Sequence, residues 1–192
     1  MTYTDKQIQV FTGVLALARQ GVDMASLRVQ QIADAAGLGK GTLYEYFSSK
    51  EEILAGTVHW SLTQILNRLD RIMAEPGSFE AHVAGMLRAL WDTMLGDATV
   101  YHSLSNGMRG EKPACCRFTE AQQDLLDRLL GLERALIAQG REEGVIRADL
   151  PEDYCRCVVE TALMASAAAV QGPAGSPVQA ENLCRMVCRA LA

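Results

Sequence analysis

Apolar residues between Asp5 and Gln20 recur at steps of three and four: Ile8, Phe11, Val14, Leu15 and Ala18. That spacing lines one face of a helix, which should stop before Gly21. A second helix is expected from about Arg28, with Ser26 as its cap and Val29, Ile32, Ala33 and Ala36 turned inward. Gly37 then occupies a helix-ending position that favours positive φ. A short helix follows from about Lys40 to Phe47. Ser48 and Ser49 each precede a glutamate by three residues, Glu51 and Glu52, which predicts two overlapping capping boxes at the start of a long helix. Ile53, Val58, Leu62, Ile65, Leu69 and Ile72 carry that helix to Pro76 and Gly77.

Beyond it the pattern predicts helices over 79–95, 98–109, 115–143, 152–171 and 178–191. Gly131 and Gly140 interrupt the 115–143 pattern and weaken its continuity, and the stretch from Gly172 to Pro177 separates the last two helices. The chain therefore reads as all-α, with about nine helices. Short helices give way to long ones near Ser48, so a small domain over 1–48 and a larger helical domain over 49–192 are expected.

Composition agrees with a helical globular protein: 49% of residues are hydrophobic and only 6% aromatic. The net charge of −5 does not advertise a nucleic-acid partner. It is unevenly spread, however. Lys6, Arg19, Arg28, Lys40 and Lys50 slightly outnumber Asp5, Asp23, Asp34 and Glu45 in the first fifty residues, and the acidic excess lies in the remainder. Charge thus permits DNA binding by the amino-terminal region without establishing it. The polar start of the chain and the lack of a run of about 18 apolar residues argue against a signal peptide or a membrane span. A cytoplasmic protein with its six cysteines reduced is the expectation.

The most informative stretch is Gln31 to Leu54, which contains Ala36-Gly37-Leu38-Gly39-Lys40-Gly41-Thr42-Leu43-Tyr44-Glu45-Tyr46-Phe47. A helix, a tight glycine-containing turn and a second short helix form the layout whose second helix enters a DNA major groove. Leu43 and Phe47 lie one turn apart and should face inward. Lys40, Gly41, Tyr44 and Glu45 then project outward, with Thr42 and Tyr46 at the flanks. Gly41 would let the backbone approach DNA closely, while Lys40, Thr42 and the tyrosine hydroxyls suit phosphates or base edges. Lys50, in the first turn of the next helix, can anchor a phosphate.

These residues resemble the TetR family of bacterial one-component regulators. The resemblance rests on Ile32-Ala33, Ala36-Gly37, Lys40 to Tyr44, Tyr46-Phe47 and Ser49 to Glu51, with a weaker echo at Gly144 to Asp149. It implies that Lys40, Gly41, Thr42, Tyr44, Tyr46 and Lys50 contact a double-stranded DNA operator. The threonine common at the start of the second helix is missing, and Arg28 or Ser26 would take over its phosphate contact. The loop from Gly21 to Leu27 is also about two residues longer than is usual in the family. The resemblance further implies a homodimer formed through the last two helices, 152–171 and 178–191, and a repressor released from its operator by a small-molecule inducer.

The middle helices would then form the sensor, with Trp60, Trp91, Met94, Tyr101, His102, Met108 and Phe118 as candidate ligand contacts. The same residues would serve equally as ordinary core. The cysteines fall in three local pairs, Cys115/Cys116, Cys155/Cys157 and Cys184/Cys188, the last one helical turn apart. Cys115 and Cys116 are the candidates for a thiol or soft-metal sensor within the same fold. A ligand-independent DNA-binding protein is the other alternative. His59, His82 and His102 form no zinc motif, the cysteines form no paired CxxC array, and no nucleophile elbow or phosphate loop is present. Neither an enzyme nor a resident metal or cofactor is expected.

Overall fold

The computed structural model describes residues 2–96, 120–169 and 178–192, and their regular structure is helical, without strands. Eight α-helices lie among them: α1 (Asp5–Arg19), α2 (Val29–Ala35), α3 (Lys40–Tyr46), α4 (Lys50–Ala74), α5 (Phe79–Gly96), α6 (Glu120–Glu142), α7 (Glu152–Ala169) and α8 (Val178–Leu191). The helix expected over 98–109 lies outside the described residues. Met1–Thr63 falls in one compact unit, and Gln64–Leu95 with Asp124–Ala192 in a second.

In the first unit, α1 begins at a capping box. The Gln7 N–H donates to Thr4 Oγ1 at 3.3 Å, and the Thr4 N–H donates to Gln7 Oε1 at 3.0 Å. These bonds satisfy two donors that a helix start otherwise leaves unpaired. Ser26 does not cap α2 as the sequence suggested. It ends a single 3-10 turn, Met24–Ser26, and its hydroxyl donates to the Asp23 carbonyl instead. The longer loop gives the serine a nearer acceptor within its own turn, and Arg28 becomes the residue before α2, its N–H bonded to Gln31 Oε1 at 2.9 Å. Gly37 takes φ +63°, so the Leu38 N–H can turn back to the Ala33 carbonyl at 2.9 Å and close the helix end.

The core of this unit is Val10, Phe11, Val14, Leu27, Ile32, Ala33, Ala36, Leu43, Phe47, Ile53 and Leu54, drawn from all four of its helices and the loop before α2. Phe11 sits at its centre. Tyr3 meets its ring edge-on at 4.8 Å between centroids, Phe47 lies at 5.7 Å and Trp60 at 6.1 Å. Two glycines admit this packing. A Cβ on Gly13 would come within 3.0 Å of the α2 backbone at Ala35 and Ala36, and one on Gly56 within 2.9 Å of the Phe11 ring.

In the second unit the buried residues of α8, Ala180, Cys184, Val187 and Leu191, recur at helical spacing and α8 packs along α7. Phe79, Val83, Leu87 and Trp91 of α5, Leu136 and Ile137 of α6, and Val159, Ala162 and Leu163 of α7 complete the core. The α6 helix runs unbroken through Gly131 and Gly140. Gly140 is filled in from outside by the side chains of Ile146 and Phe79, so packing offsets its low helix propensity. Polar groups stitch the elements together. Glu143 accepts the Phe79 N–H at 2.9 Å, Ser166 Oγ donates to the Leu87 carbonyl at 3.1 Å, and the Arg147 N–H donates to the Leu191 carbonyl at 2.9 Å. His82 is held between Gln139 Oε1 at 2.7 Å and the Glu75 carbonyl at 3.0 Å.

Glu133 is the exception to this pairing. It is 3% exposed, and neither carboxylate oxygen has a hydrogen-bond partner among the described residues. Burial, reinforced by the neighbouring charge of Glu160 and opposed by Arg156, pushes its carboxyl up to about 7.

Candidate nucleic-acid interface

The short helix α3 is fixed to the first unit by one edge. Leu43 is fully buried and Phe47 nearly so, as their one-turn spacing predicts. The opposite edge is open: Lys40, Gly41, Tyr44 and Glu45 are exposed, and Tyr44 is 52% exposed despite its aromatic ring. Thr42 and Tyr46 lie half-buried at the flanks, and Tyr46 packs against the core with its ring. Lys50 is half-buried as the first residue of α4, and Arg28 is exposed immediately before α2. The candidate residues Arg28, Lys40, Gly41, Thr42, Tyr44, Tyr46 and Lys50 therefore all belong to the first unit, at the ends or on the outer edge of its short helices.

Gly41 differs from the glycines of the core. No protein atom would lie within 4 Å of a Cβ placed there, and its φ is not positive. Neither internal packing nor backbone conformation calls for a glycine at this point. An exposed helix position without a side chain leaves the backbone open to a large partner from outside.

Two contacts that hold this surface in place were not among the sequence candidates. Gln9 Nε2 donates to the Ala36 carbonyl at 2.6 Å and ties α1 to the turn ahead of α3. A glutamine on a polar helix face carries no signal of such a bond. Glu52 accepts from both the Ser48 N–H and the Ser48 hydroxyl at 2.6 Å, while its own N–H is capped by Ser49 Oγ at 3.1 Å. This single interlocked cap replaces the two overlapping boxes expected. One carboxylate takes both Ser48 donors, and Glu51 remains exposed. The sequence signal for this cap was present, and only its partners were misassigned.

Of the candidate sensor residues, Trp60 packs on Phe11 in the first unit and Trp91 is buried in the second. The side chain of Met94, and Tyr101, His102, Met108 and Phe118, lie outside the described residues, as do Cys115 and Cys116. Among the described residues no group of three or more His, Cys, Asp and Glu is placed to hold a metal ion. No helix among the described residues is long and apolar enough to cross a membrane.

A three-helix core that presents the outer edge of its last helix, after a glycine turn, has the layout of a helix-turn-helix. Residues 17–57 match the family model of bacterial regulatory proteins of the tetR family. The chain resembles that family over its helix-turn-helix segment. It is 28% identical over 110 residues to an HTH-type transcriptional regulator of Haemophilus influenzae, a match covering 54% of this chain and 58% of the relative. It is 23% identical over 133 residues to the fatty acid metabolism regulator protein of Bacillus subtilis, covering 69% and 66%. The matched stretches thus span less than two thirds of either relative's length. The fold is also similar to that of the regulator FadR from Bacillus subtilis, solved in complex with stearoyl-CoA, with a TM-score of 0.73 at 16% identity over 96% of this chain and 99% of that one. A TetR family regulator from Marinobacter aquaeolei gives a TM-score of 0.73 at 20% identity, over 97% and 95%.

Proposed function

We propose that the protein is a dimeric transcription regulator that grips a double-stranded operator with α3 and is released by a small-molecule inducer. The observation that carries the reading is the two-sided character of α3, with Leu43 and Phe47 buried and Lys40, Gly41, Tyr44 and Glu45 exposed. Lys40, Thr42, Tyr44 and Tyr46 approach base edges and phosphates, Gly41 admits the backbone to the groove, and Arg28 and Lys50 clamp flanking phosphates. A single short helix reads too few bases for selectivity, so two copies act on paired half-sites.

The dimer forms through α7 and α8. Within one chain Ala162, Ser166, Val187 and Leu191 are buried, so the pairing face is the one that leaves Met164 at 36% and Met186 at 44% exposed. For the inducer, a long apolar acyl thioester is the first class to test, because one relative governs fatty acid metabolism and one similar structure holds stearoyl-CoA. Inducer binding shifts the dimer towards a state whose recognition helices no longer match the operator spacing, by as much as its affinities for the two states differ.

The test is operator binding by the full chain to DNA from upstream of its own gene. Tyr44→Ala and Lys50→Ala should each weaken binding about tenfold or more, equivalent to roughly 1–3 kcal/mol for a base-edge or phosphate contact, with the helical spectrum unchanged. Undiminished binding in both removes the assignment of this face. Long-chain acyl-CoA should lower operator affinity in the wild type; if it does not, the ligand class falls while the DNA reading stands.

A further inference from the structure

The second unit contains a paired-thiol arrangement outside the candidate DNA face and separate from the sensor cysteines considered above. Cys184 and Cys188 stand one turn apart on α8, the first buried and the second half-buried, and both are free thiols. Cys184 Sγ donates to the Glu80 carbonyl, in the first turn of α5, at 3.4 Å. Both cysteines open onto a groove of about 800 Å³ whose walls include Glu80, Ala84, Val145 and Arg185. Cys155 and Cys157 offer no such pair, because one is buried and the other exposed.

We propose that Cys184 and Cys188, at the groove beside Glu80, form a capture site for a trivalent arsenical held as a dithiol adduct. Two soft sulfurs one helical turn apart at one groove suit one soft atom with a bent S–X–S angle. A mercuric ion, which sets its two sulfurs on opposite sides, fits less well, and an ion needing three or four carboxylate, imidazole or thiolate ligands finds no such set among the described residues. In the reaction an organoarsenic oxide, R–As=O, meets two thiols. Two As–S bonds form, the As=O bond and two S–H bonds break, and oxygen leaves as water with both protons. Arsenic stays trivalent, so no oxidant or reductant is required.

Electrostatics favour this ligand over reagents that need a free thiolate. Burial pushes both thiols up, and Cys188 reaches about 12 with the added charges of Cys184 and Glu80. Alkylating agents attack single thiolates and are therefore slow here. The arsenical adduct is neutral, so the burial that penalises a thiolate does not penalise the product.

The site is tested with the full wild-type chain and phenylarsine oxide. Intact mass should show one phenylarsenic group in place of two hydrogens at equimolar reagent. Trypsin cleaves after Arg185, between the two cysteines, so the peptides carrying Cys184 and Cys188 should remain joined through arsenic. Cys184→Ser and Cys188→Ser should each lower capture at least tenfold, whereas Cys115→Ser/Cys116→Ser should leave the joined peptides in place. A bridge between any other pair, no bridge at all, or full capture by either single variant overturns the proposal. The peptide map needs no substitution, so it decides the matter even if a variant fails to fold.

Discussion

The two units bury their contents differently. The first surrounds Phe11 with three aromatic rings and closes on aliphatic side chains and alanine. The second joins its helices through His82, Ser166 and Glu143, and encloses a glutamate that nothing described hydrogen-bonds. In the first unit the buried His59 meets the Tyr3 hydroxyl at 2.9 Å, whereas the aromatic and aliphatic contacts around Phe11 carry no charge. A core containing an unpaired carboxyl depends on whether that carboxyl holds its proton. The buried carboxyl of the second unit therefore ties that unit's stability to pH.

The largest expected effect lies in the first unit. Phe11→Ala removes the ring on which Tyr3, Phe47 and Trp60 converge and should cost about 3–5 kcal/mol in urea unfolding. A loss below about 1 kcal/mol would mean that the aromatic cluster is not what holds this unit. Next comes the proton dependence of the second unit. The Glu133 carboxyl is raised from 4.5 to about 7. Between those values the unfolded chain has lost this proton while the folded chain keeps it. Stability from this group is thus full below pH 4.5 and declines as pH rises through about 7, by on the order of 3 kcal/mol in total. Glu133→Gln should flatten that decline in denaturant titrations from pH 5 to 8, and Glu160→Gln should make it smaller and end it at a lower pH. An unchanged profile in Glu133→Gln would refute the contrast between the units.

Smaller effects distinguish how tightly each unit is closed. Gly13→Ala sets a methyl against the α2 backbone and should cost about 1–3 kcal/mol. Gly140→Ala meets side chains, at 2.7 Å from Ile146 Cδ1 and 2.8 Å from the Phe79 ring, so part of the strain can relax. Its cost should be the lesser of the two, and thermal melts of the pair rank them. Smallest is Thr4→Ala, which deletes the α1 cap and should cost about 1 kcal/mol without altering operator affinity.

Much of the first unit was readable from sequence because its features are local. The three- and four-residue spacing of Phe11, Val14 and Leu15, the glycine at 37 and the one-turn pair Leu43/Phe47 each state a helix face or end within a few positions. Ser26 misled because its competing acceptor, the Asp23 carbonyl, becomes available only once the loop curls into a 3-10 turn. The bond from Gln9 to Ala36 spans 27 positions and leaves no trace in either neighbourhood. The same limit applies to the second unit. The spacing of Cys184 and Cys188 was visible, but the bond from Cys184 to Glu80, more than a hundred positions away, arises only when α5 and α8 meet. Glu133 looked like any surface glutamate, since its burial follows from the packing around α6 rather than from its neighbours in the chain.

The contact at Gly13 has a mechanical consequence. Where two helices meet through side chains, a displacement is cushioned by rotamers that can yield; where they meet main chain to main chain, no soft layer intervenes. The first and second helices should accordingly move as one stiff body, and a tug delivered at either would reach the turn before the reading helix almost undiminished.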